Sequence, residues 1–243
     1  MGESPEQHDI INMLISSFRE LARARGWSRV YIGGDAFFAW RKGHPLVRVS
    51  PDVYLLDDAP KKRGRSWQTW RPGVNPPRFA VEIVSVNWKK DYDDAPQRYA
   101  SLGCSELVVF DAEAAQHPRT ARRRVISVYR RTEDGAFALT YAGNGPAWCT
   151  ELNAALVPQI VDGNPRLRVA LDAEGHQIVE TEAERATREA ERATREAERA
   201  TREAERATRE AEGRAGAERE IARLKATIAK LRRRTSARST TRK

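Results

Sequence analysis

The heptad Ala-Glu-Arg-Ala-Thr-Arg-Glu occurs four times without variation, at residues 183–189, 190–196, 197–203 and 204–210. A seven-residue period of this composition points to one backbone, a continuous α-helix. Alanines at 183, 186, 190, 193, 197, 200, 204, 207 and 211 alternate three and four apart, so they form a narrow stripe on one face. Glu184 with Arg188, Arg185 with Glu189, and their repeats stand at i,i+4, and each such pair adds ~0.2–0.5 kcal/mol. Alanine, glutamate and arginine are all strong helix formers. From Thr181 to Leu231 the helix would be ~75 Å long at ~1.5 Å per residue. An alanine seam buries little apolar area and drives association weakly. A stronger seam follows Gly213 and Gly216: Ile221, Leu224, Ile228 and Leu231, spaced three, four and three. Ala211 to Ile221 is a heptad plus three, so the phase slips where the glycines loosen the helix. The pattern predicts a charged spacer ending in a short segment that makes a homo-oligomer; a lone unpaired helix is the alternative.

The net charge of +9 suggests a nucleic-acid binder until it is divided along the chain. Residues 1–180 hold 24 Lys+Arg against 22 Asp+Glu, whereas residues 181–243 hold 19 against 12. The last twelve residues, Arg232 to Lys243, supply six cations and no acid. Such an Arg/Ser/Thr tail buries no core and is expected to be disordered. It offers phosphate contacts or is simply a solvated end. No stretch approaches the ~20 apolar residues of a membrane span, and the N-terminus has neither a basic start nor an apolar run. The only cysteines, Cys104 and Cys149, exclude a disulfide framework and a cysteine-rich zinc site. These features predict a soluble cytoplasmic protein with no membrane partner.

Residues 1–175 read as one globular domain, 176–231 as the long helix and 232–243 as the tail. Ser4-Pro5-Glu6-Gln7 is a helix start, with Ser4 as N-cap and Gln7 as its capping-box partner. A helical apolar stripe from Ile10 to Leu21 then runs to Arg25-Gly26. Extended runs follow: Trp27 to Ile32, Ala36 to Trp40, Val47 to Leu56 and Phe79 to Val86. The last is nearly continuous in apolar residues, as in a strand buried on both faces. A helix over Asp93 to Leu102, closed by Gly103, leads to the strand Glu106 to Asp111. Strand, helix and strand in this order form a parallel crossover. Val125 to Arg130 and Ala136 to Tyr141 make a hairpin through Glu133-Asp134-Gly135. The class is α/β, a mixed sheet flanked by helices. Residues 151–180 resist assignment from their apolar segments.

Glu82 is the informative position, because a carboxylate inside Phe-Ala-Val-Glu-Ile-Val is costly to bury unless it binds a cation or is hydrogen-bonded. Asp52, inside the run from Val47 to Leu56, has the same character. Two acids on neighbouring strands aimed at one place make the oxygen-rich site that Mg²⁺ or Mn²⁺ prefers; each alone is equally a structural acceptor. Between them lies Lys61-Lys62-Arg63-Gly64-Arg65-Ser66-Trp67-Gln68-Thr69-Trp70-Arg71. Its five cations and two tryptophans suit phosphate contact and base stacking. They equally suit a solvated turn with its tryptophans tucked onto the core. His8, at a helix start, reads as structural.

Pro51-Asp52-Val53, Val81-Glu82-Ile83-Val84-Ser85, Asp91 followed eight residues on by Tyr99, Leu102-Gly103, and Glu106 to Asp111 together resemble the Uma2 family. The resemblance runs from about Ser4 to about residue 175. It implies the PD-(D/E)XK restriction-endonuclease-like fold, with Asp52 and Glu82 binding the metal, helped by the main-chain carbonyl of Ile83. It further implies phosphodiester hydrolysis by metal-activated water, with DNA as the partner, and a basic side chain to stabilise the phosphorane.

The chain departs from that pattern at the basic group. Val84 stands two residues after the second acid, where the wider fold has lysine. Ala95 stands four residues after Asp91, where Uma2 relatives usually carry theirs. Arg98, on nearly the same helical face as Ala95, is the candidate replacement, ahead of Lys89 and Lys90. Arginine clamps phosphate through two donors, but its pKa above ~12 bars it from shuttling protons. The sequence therefore predicts a Mg²⁺-dependent endonuclease with Asp52, Glu82 and Arg98 as its catalytic residues, and Lys61, Lys62, Arg63, Arg65 and Arg71 on the nucleic acid. The rival is a catalytically impaired nuclease-fold adaptor that binds partners through the coiled coil.

Overall fold

The computed structural model describes residues 5–60, 66–84, 90–117 and 123–240, with side chains in the last helix through Lys230. Ser4, Lys61, Lys62, Arg63, Arg65 and Lys89 lie outside the described residues. The chain divides into two compact units, Met1–Glu184 and Arg185–Lys243.

The first unit opens with α1 (Pro5–Arg25), whose Ile10, Leu14, Phe18 and Leu21 are buried as the stripe predicts. Strands β1 (Val30–Gly33), β2 (Phe37–Ala39), β3 (Arg48–Val49), β4 (Val53–Asp57), β5 (Ser66–Gln68) and β6 (Phe79–Ile83) follow. A π-helical turn, Lys90–Asp94, leads into α2 (Ala95–Leu102) and β7 (Glu106–Phe110). Then come α3 (Ala112–Gln116), β8 (Ile126–Arg131), β9 (Phe137–Gly143), β10 (Ala147–Cys149), β11 (Ala154–Val161) and β12 (Asn164–Ala170). Six strands form a mixed sheet in the order β1-β4-β6-β7-β8-β9, in which β6 and β7 are parallel and the other pairs antiparallel. The expected crossover is therefore present, with α2 making the connection. Smaller three-stranded sheets, β10-β11-β12 and β3-β2-β5, complete the unit.

The single run expected from Val47 to Leu56 is two strands in different sheets. Pro51, which has no N–H to give a ladder, sits at the break between β3 and β4.

Alternation along β4 and β6 sorts the core into two layers. Val53 and Leu55, with Phe79, Val81 and Ile83, face the layer that contains α1. Tyr54, Leu56 and Ala80 face the layer that holds Tyr99 and Leu102 of α2. Cys104 and Cys149 are buried free thiols, behaving as small apolar residues. Gly103 closes α2 in the left-handed region, at φ 97°, with its N–H bonded back to the last turn.

Helix α4 spans Glu182–Thr240, unbroken by Gly213 and Gly216 and extending into the residues expected as a tail. Its start is a capping box. Glu184 Oε2 accepts from Thr181 N at 2.8 Å, and Glu184 N donates to Thr181 Oγ1 at 3.2 Å. Arg168 also donates to Glu184 at 2.9 Å, so this acid joins the helix start to the strand β12. Farther along, the i,i+4 pairs form as expected, Arg192 with Glu196 at 2.9 Å and Arg206 with Glu210 at 3.1 Å. All are exposed and individually weak. No helix among the described residues is long and apolar enough to cross a membrane.

Candidate active site

Period-2 alternation places the two acids before any detail is considered. Asp52 shares parity with Tyr54 and Leu56, and Glu82 with Ala80, so both belong to the α2-facing side of the large sheet. The antiparallel register pairs Val53 with Val81, and its extension by one residue sets Asp52 opposite Glu82. The two carboxylates meet in a cavity of about 370 Å³ that is also lined by Gln7, Ile83, Lys90, Asp91, Ala95, Arg98 and Tyr99.

Each acid is held by its neighbours. Ile83 N donates to Asp52 Oδ2 at 2.6 Å, and Gln7 Nε2 donates to Oδ1 at 3.5 Å. The Tyr99 hydroxyl, fully buried on α2, donates to Glu82 Oε1 at 2.6 Å. Gly34 allows the chain to close against this strand end, because a Cβ there would stand 2.4 Å from the Asp52 carbonyl oxygen. Burial, followed by the nearby charge of Asp52, raises the Glu82 pKa well above the usual carboxylate value; the Tyr99 bond and Lys90 act in the other direction. Burial and the charge of Glu82 likewise push the Tyr99 phenol upward.

Two crowded carboxylates in one cavity fit a small hard cation, which would relieve their repulsion. Mg²⁺ is commonly held by only one or two carboxylates, with water and substrate phosphate completing its shell. Among the described residues no group of three or more His, Cys, Asp or Glu has metal-ligand geometry.

The basic side of the cavity is built from α2 and its approach. Arg98 lines the same wall as the buried Ala95, and its Nη2 donates to the carbonyl oxygen of Arg48. Lys90 lies on the cavity too. Val84 is apolar and packs against the α2-side core. Of the predicted nucleic-acid loop, Arg71 is exposed in a turn and does not line the cavity. Trp67 is core: its Nε1 donates to Tyr54 Oη at 3.0 Å, and it stacks near Phe38. His8 is exposed, whereas Gln7, predicted only as a cap, reaches the site. Arg48 and the buried Asp91 also line the cavity. Asp91 was visible as a motif residue; Arg48 carried no signal of its own.

A mixed sheet flanked by helices, with paired acids at the end of two of its central strands, puts the protein in the restriction-endonuclease-like class. The chain belongs to the Uma2 family: the family's sequence model, described as "Putative restriction endonuclease", matches residues 1–155. The chain is also similar to a "putative nuclease belonging to DUF820" from Anabaena variabilis, known from a crystal structure, with a TM-score of 0.44 and 9% identity over 63% of this chain and 76% of that one. No curated protein matches.

Proposed function

We propose that the protein is a metal-dependent endonuclease that hydrolyses DNA phosphodiester bonds in the Asp52–Glu82 cavity and self-associates through α4. The observation that carries the catalytic reading is the convergence of Asp52 and Glu82 opposite Arg98 in one cavity. Asp52, Glu82 and the Ile83 carbonyl would hold Mg²⁺ or Mn²⁺. The ion, when bound, supplies Lewis-acid polarisation of the phosphate and a lowered pKa for the attacking water. Tyr99 fixes the orientation of Glu82, and the Ile83 amide that of Asp52. Arg98, held by the Arg48 carbonyl, presents its remaining donors to the scissile phosphate. It stabilises developing charge but moves no proton.

The test is nicking of supercoiled plasmid. Wild type should nick with Mg²⁺ or Mn²⁺ and not with chelator, and Arg98→Ala should lower the rate about 10²–10³-fold, the usual loss for one preorganised electrostatic donor. A rate within twofold of wild type would remove Arg98 from the mechanism and leave Lys90 as the cation. The adaptor reading rests on Val84 and Ala95, apolar residues at both customary lysine positions. It prevails if wild type never nicks.

Self-association is supported by Ile221, Leu224 and Ile228, each about half exposed along one face of α4. Isoleucine at a and leucine at d favours a parallel two-stranded coil. In that arrangement Glu220 at g meets Lys225 at e of the second copy, whereas an antiparallel pair would lose this match. Light scattering should give about twice the 27.5 kDa chain mass, and Leu224→Lys should give the single chain. A wild-type monomer at micromolar concentration would end this part of the proposal.

A further inference from the structure

The segment Arg41-Lys42-Gly43-His44-Pro45-Leu46 joins β2 to β3 at the border of the acidic cavity. Two tight turns shape it: His44 N donates to the Arg41 carbonyl at 3.0 Å and Val47 N to the His44 carbonyl at 2.9 Å. Gly43 supplies the positive φ, 85°. Arg41, Lys42 and His44 are all exposed. Leu46, which lines the cavity, is 80% exposed, the most of any large apolar residue described. Beside it on the same lip is Phe37, 37% exposed, with the Arg48 guanidinium carbon 3.8 Å above its ring centroid. A lone exposed leucine has no particular meaning. Here, however, an apolar pair and a ring-stacked arginine line the cavity that contains Asp52 and Glu82, and two further exposed cations stand on the segment that carries Leu46.

We infer that residues 40–47, with Phe37 and Arg48, form a nucleic-acid lip that takes a DNA strand with unstacked bases. The favoured substrate is then single-stranded DNA, or a duplex opened at a gap or mismatch, and not intact duplex. Leu46 and Phe37 have no polar side-chain atoms with which to read base edges, but they offer apolar surface to the face of a splayed base, as inserted side chains do at kinked steps. Arg48, already packed on a ring, is oriented for the same kind of stacking. Arg41 and Lys42 match the backbone's negative charge. Asp52 and Glu82 are partly buried below this lip, and a flexible strand reaches them more readily than a stiff duplex. The inference deepens the nuclease reading of the same cavity and rests on it for the identity of the polymer.

The experiment is fluorescence anisotropy in chelator, with a fluorescein-labelled DNA strand alone and in intact duplex, so that cleavage plays no part. Wild type should bind the single strand about tenfold tighter or more, in line with typical stacking contributions. Leu46→Ala, a surface change, should leave the melting temperature unaltered and bring the preference to about threefold or less. Arg41→Ala with Lys42→Ala should weaken binding and flatten the log–log salt dependence by about 1.4, at ~0.7 per single-strand phosphate contact. Equal affinity of wild type for the two forms, or a preference that Leu46→Ala leaves unchanged, overturns the inference. Metal-dependent plasmid nicking without strand preference would defeat the lip and leave the nuclease. Strand preference without metal-dependent cleavage of either the plasmid or the labelled single strand would sustain the lip and defeat the nuclease.

Discussion

Glu82→Gln should abolish plasmid nicking and at the same time make the metal-free protein more stable. The substitution keeps side-chain shape, and the glutamine carbonyl can still accept from Tyr99, whose hydroxyl lies 2.6 Å from Glu82 Oε1. What it removes is a partly buried negative charge next to Asp52, the combination that raises the Glu82 pKa. A carboxyl whose folded pKa lies above its unfolded value, ~4.3, binds more protons in the native state. Stability is then lost as pH rises from the unfolded value toward the folded one. The advantage of Glu82→Gln in chelator should therefore be small near pH 5 and larger at pH 8, where at least ~2 °C in Tm is expected, the shift of ~1 kcal/mol for a chain of this size. Metal reverses the order. Wild type at ~100 times its Kd gains ~2.7 kcal/mol, while the variant should gain nothing measurable. Thermal unfolding with chelator and with millimolar Mg²⁺ reads both effects. A variant that melts below wild type in chelator would show that the acid is satisfied without a cation. An equal metal shift in both proteins would place the ion elsewhere.

The residues most legible in the sequence were those that violate their local pattern. Glu82 and Asp52 stand out as charges inside apolar runs, and period-2 parity then puts both on the α2 side of the sheet. The crossover from β6 through α2 to β7 was legible for a related reason, since its strand and helix periods differ and Gly103 marks the boundary. Gln7 was legible only as a helix-start residue. Its reach to Asp52 depends on how α1 packs across the strand ends, which local spacing does not encode. Trp67 was legible only as an open choice: a tryptophan among cations suits base stacking and packing onto the core equally, and its indole N–H bonded to buried Tyr54 decides for the core. Residues 151–180 lacked clean periodicity, but Asp162-Gly163 was a hairpin signal. Both residues adopt positive φ, 50° and 76°, and pair β11 with β12.

The second large effect falls on a residue of the family resemblance that does not line the Asp52–Glu82 cavity. Asp111 ends β7 with no exposure. It accepts from Arg123 Nε at 2.6 Å and Nη2 at 2.7 Å, from Tyr92 Oη at 2.9 Å, and from Ala114 N at 2.8 Å. The last bond caps α3, and the arginine and tyrosine tie this strand end to the segment before β8 and to the π-helical turn. Asp111→Ala removes one acceptor from four donors and leaves the Arg123 guanidinium, about 10% exposed, without its bidentate partner. Breaking a buried ion pair from one side destabilises by ~3–5 kcal/mol, which for this chain length is a Tm loss of ~6–20 °C. Asp111→Asn keeps an oxygen for Ala114 N but turns an amide donor toward Arg123, so its loss should be intermediate. Because Asp111 is absent from the cavity lining, either variant should retain the Mg²⁺-induced Tm gain below its own melting point. A Tm within 2 °C of wild type would contradict the structural role. A vanished metal gain with intact stability would instead assign Asp111 to the site, and the motif would then mark chemistry at the C-terminal ends of the parallel strands β6 and β7 rather than the anchoring of β7 alone.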